Sequence, residues 1–276
     1  MGPAVGLPRD FLNDPLEAAT VDAHLRDMFS QPATRRAIET DSLPIPHIDD
    51  REGYEPTCHL NYWLSGAADL LAIRSHIPSA AFARVLDFGG ASGRLTRHLA
   101  AAADVRCVTV ADLNRNHVQW IDEHFGPKVR AVKVSSQPHF PLPDGSITLC
   151  VGLSVFTHID VWESGWLAEI HRVLADGGWA YLTVHAERAW ESMRDRPMPA
   201  LMDNEQFMAL RLRPMPSERI VFDFKPGTVF HCCQTFLSSA YIRGAWGRWF
   251  DVVGIYDKPN HFHSAVVLRK AEAAAP

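Results

Sequence analysis

A chain of 276 residues, 47% of them hydrophobic and 21% charged, is long enough to bury one large core with elaborations. Its formal charge of -5 gives no electrostatic reason to expect a nucleic-acid partner, which usually needs a basic patch or stripe. No apolar run reaches the ~18 residues of a membrane span, and "MGPAVGLPRDFLNDPLEAA" lacks the basic start and apolar core of a secretory signal.

The opening Met-Gly is not followed by the Ser or Thr that N-myristoylation requires, which argues against that anchor. Five cysteines (Cys58, Cys107, Cys150, Cys232 and Cys233) form an odd count without C-x-x-C spacing, as suits a reduced, cytoplasmic chain. Cys107 and Cys150 lie in apolar, strand-like runs and are expected in the core, and the adjacent Cys232 and Cys233 are read as packing.

Residues 1–53 are rich in Pro and Asp, with one weakly amphipathic stretch, "LEAATVDAHLRDMF". "LNYWLSGAADLLAIRSHI" (60–77) has apolar residues at helical spacing and stops before Pro78. The pattern then alternates. Strands are expected at 83–88, 105–111, 129–134, 146–153 and 178–184, with helices at 93–103, 114–125 and 160–174. Such alternation predicts right-handed βαβ crossovers and a parallel sheet, and runs such as "VRCVTV" and "ITLCVGL" suit strands buried on both faces.

After Thr183 the composition shifts to Met, Arg and Pro, so 186–236 reads as an insertion. It holds a helical piece near 203–212 and a hairpin, "RIVFDFKPGTVFHCCQ", turning at Pro226-Gly227. A helix, "LSSAYIRGAWGRW", follows. Two strands, "FDVVGIY" and "SAVVLRK", separated by Pro259-Asn260, close the chain before an Ala-rich tail at 271–276.

The chemistry centres on "VLDFGGASGRLTRHLA" (85–100), a strand running through small residues into a helix. A glycine turn in this setting brings backbone N–H groups up to a ligand. The dinucleotide fingerprint G-x-G-x-x-G would need glycines at 89, 91 and 94, but Ala91 and Arg94 stand there. What remains is D-x-G-x-x-x-G, with Asp87 inside the strand. Asp112, at the end of "VTVAD", is placed at a strand tip to accept both hydroxyls of a ribose. An acid before the turn suits a ligand with a cationic end better than a phosphate. A nicotinamide dinucleotide is therefore disfavoured.

"VLDFGGASGRLTRHL", "ADLNRNHVQWI", "FPLPDGSITLCVGLSVFTHI" and "EIHRVLADGGWAYLTVH" together resemble class I S-adenosylmethionine-dependent methyltransferases. More narrowly they resemble the bacterial small-molecule and sugar O-methyltransferase-like group. The resemblance is strong over 83–185 and weaker over 237–270. It implies an α/β, doubly wound, mostly parallel seven-stranded Rossmann-like sheet. An N-terminal helical lid segment (1–79) precedes a methyltransferase domain (80–276), whose 186–236 insertion covers the substrate. S-adenosyl-L-methionine is the implied cofactor and S-adenosyl-L-homocysteine the product. Asp87, Gly89, Gly90, Ala91 and Gly93 would hold its methionine and ribose part, Asp112 the ribose hydroxyls and Leu113 the adenine, with Leu153 and Ser154 at the end of the fourth strand. Two departures stand out. Ala91 replaces the middle glycine of the family's usual turn, and Ser135 and Ser136 replace the acid often found after the third strand, leaving adenine to a hydroxyl or the backbone.

Methyl transfer is an in-line displacement in which the protein positions the acceptor, and a hydroxyl acceptor needs a base as well. His158 follows the fourth strand and aligns with the His that serves as base in the resembling O-methyltransferases; the alternative is a cap on a helix starting at Asp160. His185 and Glu187 follow the fifth strand, with His185 open to a structural role. His139, His231, His261 and His263 have no motif context and read as ordinary histidines, although "HFH" puts 261 and 263 on one strand face. No metal-ligand spacing appears beyond the weak pair Asp160 and Glu187, so metal independence is expected. Tyr54, Tyr62 and Trp63 are candidates either to close over the site or to pack the N-terminal helix. The expected partner is a small-molecule acceptor, with no nucleic acid and no membrane, and a homodimer is not excluded. Alternatives are N- or C-methylation and a non-catalytic nucleoside-binding protein. An N6-adenine enzyme would carry Asn/Asp-Pro-Pro-Tyr where "LSVFTH" stands.

Overall fold

The computed structural model describes residues 1–52, 54–55, 58–223, 233–258 and 262–272. Nine strands lie among them: β1 Arg84–Phe88, β2 Cys107–Asp112, β3 Val129–Lys133, β4 Ile147–Gly152, β5 Leu174–Val184, β6 Arg219–Asp223, β7 Cys233–Leu237, β8 Asp251–Asp257 and β9 Ser264–Arg269. Seven form one sheet of order β3-β2-β1-β4-β5-β9-β8, and β6 and β7 form a separate antiparallel pair. β1, β2 and β3 run parallel, as do β4 and β5, whereas β9 is antiparallel to both β5 and β8. The alternating pattern thus yields the expected mostly parallel α/β sheet. The strands that bracket one helix become parallel neighbours, and β9, lying between β5 and β8, pairs antiparallel with both.

The chain forms two compact units, Met1–Val134 and Ser135–Pro276, so the N-terminal helices of 1–79 fold within the first unit. There the helix His59–Arg74 ends at Ser75, three residues before Pro78. Cys58 caps its start by accepting the Asn61 N–H at 3.4 Å. Leu60, Trp63 and Leu64 bury one face of this helix against Leu12, Val21, Leu25 and Ile38 from the short N-terminal helices. Tyr62 and Trp63 are packing residues. Trp63 Nε1 donates to Asp41 at 2.8 Å, and the Tyr62 hydroxyl lies 3.1 Å from Ser92 Oγ. Cys107 departs from expectation: it is the first residue of β2 and is exposed, because core burial begins one residue later at Val108.

In the second unit, β5 starts at Leu174, four residues before the expected 178. It continues directly from the helix Glu163–Val173, which itself begins three residues later than the expected 160. The 186–236 segment has its own apolar core. Trp190 of the helix Glu187–Ser192 packs with Phe207 of the helix Glu205–Leu210, with Phe222 of β6 and with Phe236 of β7. The Trp190 indole N–H donates to the Arg213 carbonyl at 2.8 Å, so its polar edge is not stranded in that core. The expected hairpin is therefore present as paired strands, while its turn at Pro226-Gly227 lies outside the described residues, as do Cys232 and Pro259-Asn260. Among the described residues, no helix is long and apolar enough to cross a membrane.

One ion pair anchors the N-terminal helices. Arg97, buried, donates from Nε to Asp41 at 2.8 Å and from Nη2 to the Leu43 carbonyl at 2.5 Å. Burial alone would raise the Asp41 pKa, but the Arg97 charge and the hydrogen bonds from Arg97, Leu43 and Trp63 outweigh it and hold the carboxyl below its ordinary value. The stability this adds is present at neutral pH and is lost as pH falls through that lowered value. Asp41→Ala should destabilise the protein by about 3–5 kcal/mol, because Arg97 stays buried without its partner. Urea unfolding at pH 7 measures this, and a change well under 1 kcal/mol (roughly the value of a surface pair) would show that the pair anchors nothing.

Candidate active site

The turn after β1 is shaped by residues in the left-handed region. Gly89, Ala91 and Gly93 have φ of 70°, 48° and 89°, and this conformation delays the following helix to Thr96 rather than 93. A side chain on Gly93 would collide with Phe125 and come within 2.8 Å of Ile121 Cδ1, so the backbone approaches the helix Arg115–His124 as only glycine allows. Ala91 carries a Cβ in a conformation that favours glycine, and its N–H is aimed at Asp112 Oδ2, 2.9 Å away. Asp112 Oδ1 accepts the Asn114 N–H at 2.7 Å. The carboxylate at the tip of β2 thus fastens the turn to its own strand end. Leu113, beside it, is 49% exposed and presents open apolar surface.

Asp87 points inward. It is 2% exposed and accepts the Thr96 hydroxyl at 2.6 Å, and a Cβ on Gly90 would sit 2.9 Å from its carboxyl carbon. Burial raises its pKa to about 6, opposed by the Thr96 bond and the Arg94 charge and reinforced by Asp112. Asp87 therefore braces the turn from beneath. Beyond β3, Ser135 and Ser136 are exposed, and the Ser135 hydroxyl closes a local turn with the Gln137 backbone at 3.2 and 3.3 Å.

In the second unit, Leu153 and Ser154 follow β4, both half-buried. Ser154 has φ of 61°; its N–H donates to Thr183 Oγ1 at 2.7 Å, and its Oγ lies 3.1 Å from His263 Nε2. His158 ends the short 3-10 turn Phe156–His158 and is not a helix cap, since the next helix starts at Glu163 behind Trp162. Its Nδ1 is 2.9 Å from the Cys233 carbonyl. A carbonyl only accepts, so Nδ1 carries the proton, and in the neutral ring Nε2 keeps the lone pair. His185 is buried and stacks on His263, with centroids 4.8 Å apart and planes 10° apart, and Phe236 and Phe262 flank it. His263, set aside on sequence, thus belongs with His185 and Ser154. The two-residue alternation of "HFH" was the one sequence hint that it faces inward. His139 is exposed, 3.4 Å from Glu169, and His231 and His261 lie outside the described residues. The weak acidic pair is not gathered into a metal site. Glu187 accepts the N–H and hydroxyl of Ser239 at 2.6 and 2.8 Å, and among the described residues no group of three or more His, Cys, Asp or Glu could hold a metal ion.

An acid whose folded pKa exceeds its unfolded value holds its proton more tightly when folded. Stability should therefore fall as pH rises from the ordinary 3.8 towards about 6, while Asp87 is forced to ionise in place. Asp87→Asn should flatten that segment of the stability profile. Urea midpoints measured across this pH range in both proteins provide the test, and parallel profiles would refute it.

The family model described as "Methyltransferase domain" matches residues 62–220, more than half of the chain. A malonyl-[acyl-carrier protein] O-methyltransferase of Geobacter sulfurreducens is 34% identical over 97 residues, 35% of this chain and 36% of that protein, so the match spans about a third of its length. A SAM-dependent methyltransferase from Methanosarcina mazei shares the fold with a TM-score of 0.53 at 16% identity, over 73% of this chain and 98% of that one. An S-adenosylmethionine-dependent methyltransferase from Mesorhizobium loti has the same TM-score of 0.53 at 12% identity, over 75% of this chain and 99% of its own. With the strand order, the glycine turn and the family match together, the chain belongs to the class I S-adenosylmethionine-dependent methyltransferases.

Proposed function

We propose that this protein moves a methyl group from S-adenosylmethionine to an oxygen of a small-molecule acceptor, with His158 taking the acceptor's proton. The observation that carries the reading is the hydrogen bond from His158 Nδ1 to the Cys233 carbonyl, which fixes the tautomer of an imidazole that stands just beyond β4. The Geobacter sulfurreducens relative is an O-methyltransferase, which supports oxygen as the acceptor atom.

The turn fits the cofactor. Each Asp112 oxygen accepts one backbone N–H and keeps a second lone pair, the capacity that a ribose diol needs. The left-handed residues Gly89, Ala91 and Gly93, with Gly90 packed against Asp87, give the backbone the close approach that a nucleoside requires. Leu113 offers an apolar face to adenine, and with the Ser135 hydroxyl engaged by Gln137, Ser136 and the backbone are left for its polar edge. Leu153 and Ser154 complete the cofactor assignment. When bound, the cofactor supplies an electrophilic methyl group on a good leaving group, and no metal is required to make it one. His158 draws the proton from the acceptor oxygen, and His185 is a secondary candidate for that task. The 186–236 segment, with its separate core around Trp190, sets which acceptor is taken.

Calorimetry with S-adenosylmethionine and with NAD, followed by a methyl-donor screen over alcohols, carboxylates and amines, tests the reading. Asp112→Ala should weaken S-adenosylmethionine binding by about 1.5–3 kcal/mol, the scale of hydrogen bonds to a charged group. Unchanged affinity would remove Asp112 from the site. His158→Ala should lower turnover by ~10²–10⁴-fold, the contribution of a lost general base, while leaving cofactor affinity as it was. Nearly full activity across the pH range would exclude His158.

A further inference from the structure

We propose that His117 and Glu52 are positioning residues of the cofactor site, with Glu52 acting through the buried His117 imidazole to orient the Asp112 carboxylate towards the two hydroxyls of a nucleoside ribose. This rests on the reading of Asp112 as the ribose-binding acid.

His117 lies in the first turn of the helix Arg115–His124, whose start is capped by the Asn114 side chain bonding to the Asn116 N–H at 2.9 Å. Its side chain is 2% exposed and faces a carboxylate at each ring nitrogen: Nδ1 is 3.5 Å from Asp112 Oδ1, and Nε2 is 3.4 Å from Glu52 Oε1. Either nitrogen can donate towards the oxygen it faces. Both separations exceed an ideal hydrogen bond, so the imidazole steers Asp112 electrostatically while the Ala91 and Asn114 amides fix its oxygens. A carboxylate fixed by two amides and bordered by a buried imidazole has its plane set before any ligand arrives.

Glu52 is brought there by strained backbone. It has φ of 50°, as does Glu55, in a conformation that side-chain-bearing residues seldom adopt. Arg51, buried beside it, is itself anchored on several sides. Its guanidinium donates to the Pro46 carbonyl at 3.1 and 2.9 Å and to the Glu55 carbonyl at 3.0 Å, and meets His59 Nδ1 at 2.6 Å. Two residues on, Tyr54 lies under the Arg94 guanidinium, 4.5 Å from its ring centre, and Arg94 directly follows Gly93 of the turn. Strain of this kind persists where the surroundings impose it, and here its product is an acid placed on the imidazole that faces Asp112.

The test titrates S-adenosylhomocysteine and its 2′-deoxyribose analogue into the full chain and into His117→Gln, Glu52→Gln and the double variant, with urea unfolding as the folding check. The unaltered protein should prefer the hydroxylated ligand. His117→Gln should weaken it on the order of tenfold, about 1.4 kcal/mol, and should shrink the preference over the deoxy analogue. Glu52→Gln, at the more exposed end, should shift that preference in the same direction and add little once His117 is replaced. Should His117→Gln fail to fold, Glu52→Gln alone still decides the matter. Equal weakening of both ligands would mark a purely structural role and overturn the proposal, as would unchanged affinity and preference. Asp112→Ala in the same titrations separates the two levels: if it leaves binding intact, the ribose assignment itself fails.

Discussion

Two backbone amides converge on one carboxylate, and the turn after β1 is organised around that meeting. Ala91 and Asn114 both donate to Asp112, one from the turn after β1 and one from the start of the next helix. Charge-assisted bonds of this kind are short and roughly twice as strong as neutral ones, enough to hold Ala91 in a left-handed conformation that disfavours its side chain. Beneath the turn, Asp87 bonds to Thr96 and fills the space that any side chain on Gly90 would need. Two acids thus do complementary work: the upper one ties strand end to turn, and the lower one supports the turn at the expense of being buried. The raised pKa of Asp87 is the physical record of that expense.

The second unit solves a different problem with a hairpin. β7 has its Cys233 carbonyl against His158 and its Leu237 N–H on the His185 carbonyl, so one short strand touches the backbone or ring of both histidines. What fixes β7 is the cluster of Trp190, Phe207, Phe222 and Phe236, whose rings meet edge-to-face or stacked at 5.3–6.2 Å. Aromatic packing of this geometry contributes beyond the area it buries. Ser154 and His263 extend the arrangement: a residue in the left-handed region at the end of β4 hydrogen-bonds to the imidazole that stacks on His185.

Local physics was readable from the chain, and tertiary pairing was not. The strands, the glycine turn and the hairpin announce themselves through two-residue and helical periodicity and through residues that suit particular backbone shapes, so Asp112 and Gly93 could be placed from sequence. The start of the helix at Thr96 could not, because nothing in "GASGR" says which residues turn left-handed. Asp41 and Arg97 are 56 residues apart and carry no mutual signal, and the same is true of Glu52 and His117. Charged residues in an apolar context are visible in sequence, but their partners emerge only when the chain has folded. Cys107 misled because an apolar run says that a strand is buried without saying where its burial begins. His263 was hidden because its partner, His185, stands on a neighbouring strand's end rather than nearby in sequence.

The double use of β7 constrains how this chain can evolve. Segments that sit on a fold as independent attachments can be exchanged freely between relatives, each bringing a new preference for the molecule it recognises. Here the same backbone that closes the 186–236 segment also bonds to His158 through Cys233 and to His185 through Leu237. A lineage that remodels the hairpin must preserve the path of those few peptide groups, or else resettle both histidines at the same time. Change should therefore accumulate most readily in the helical part of the segment and in the facing side chains of β6, with β7 drifting slowest of all.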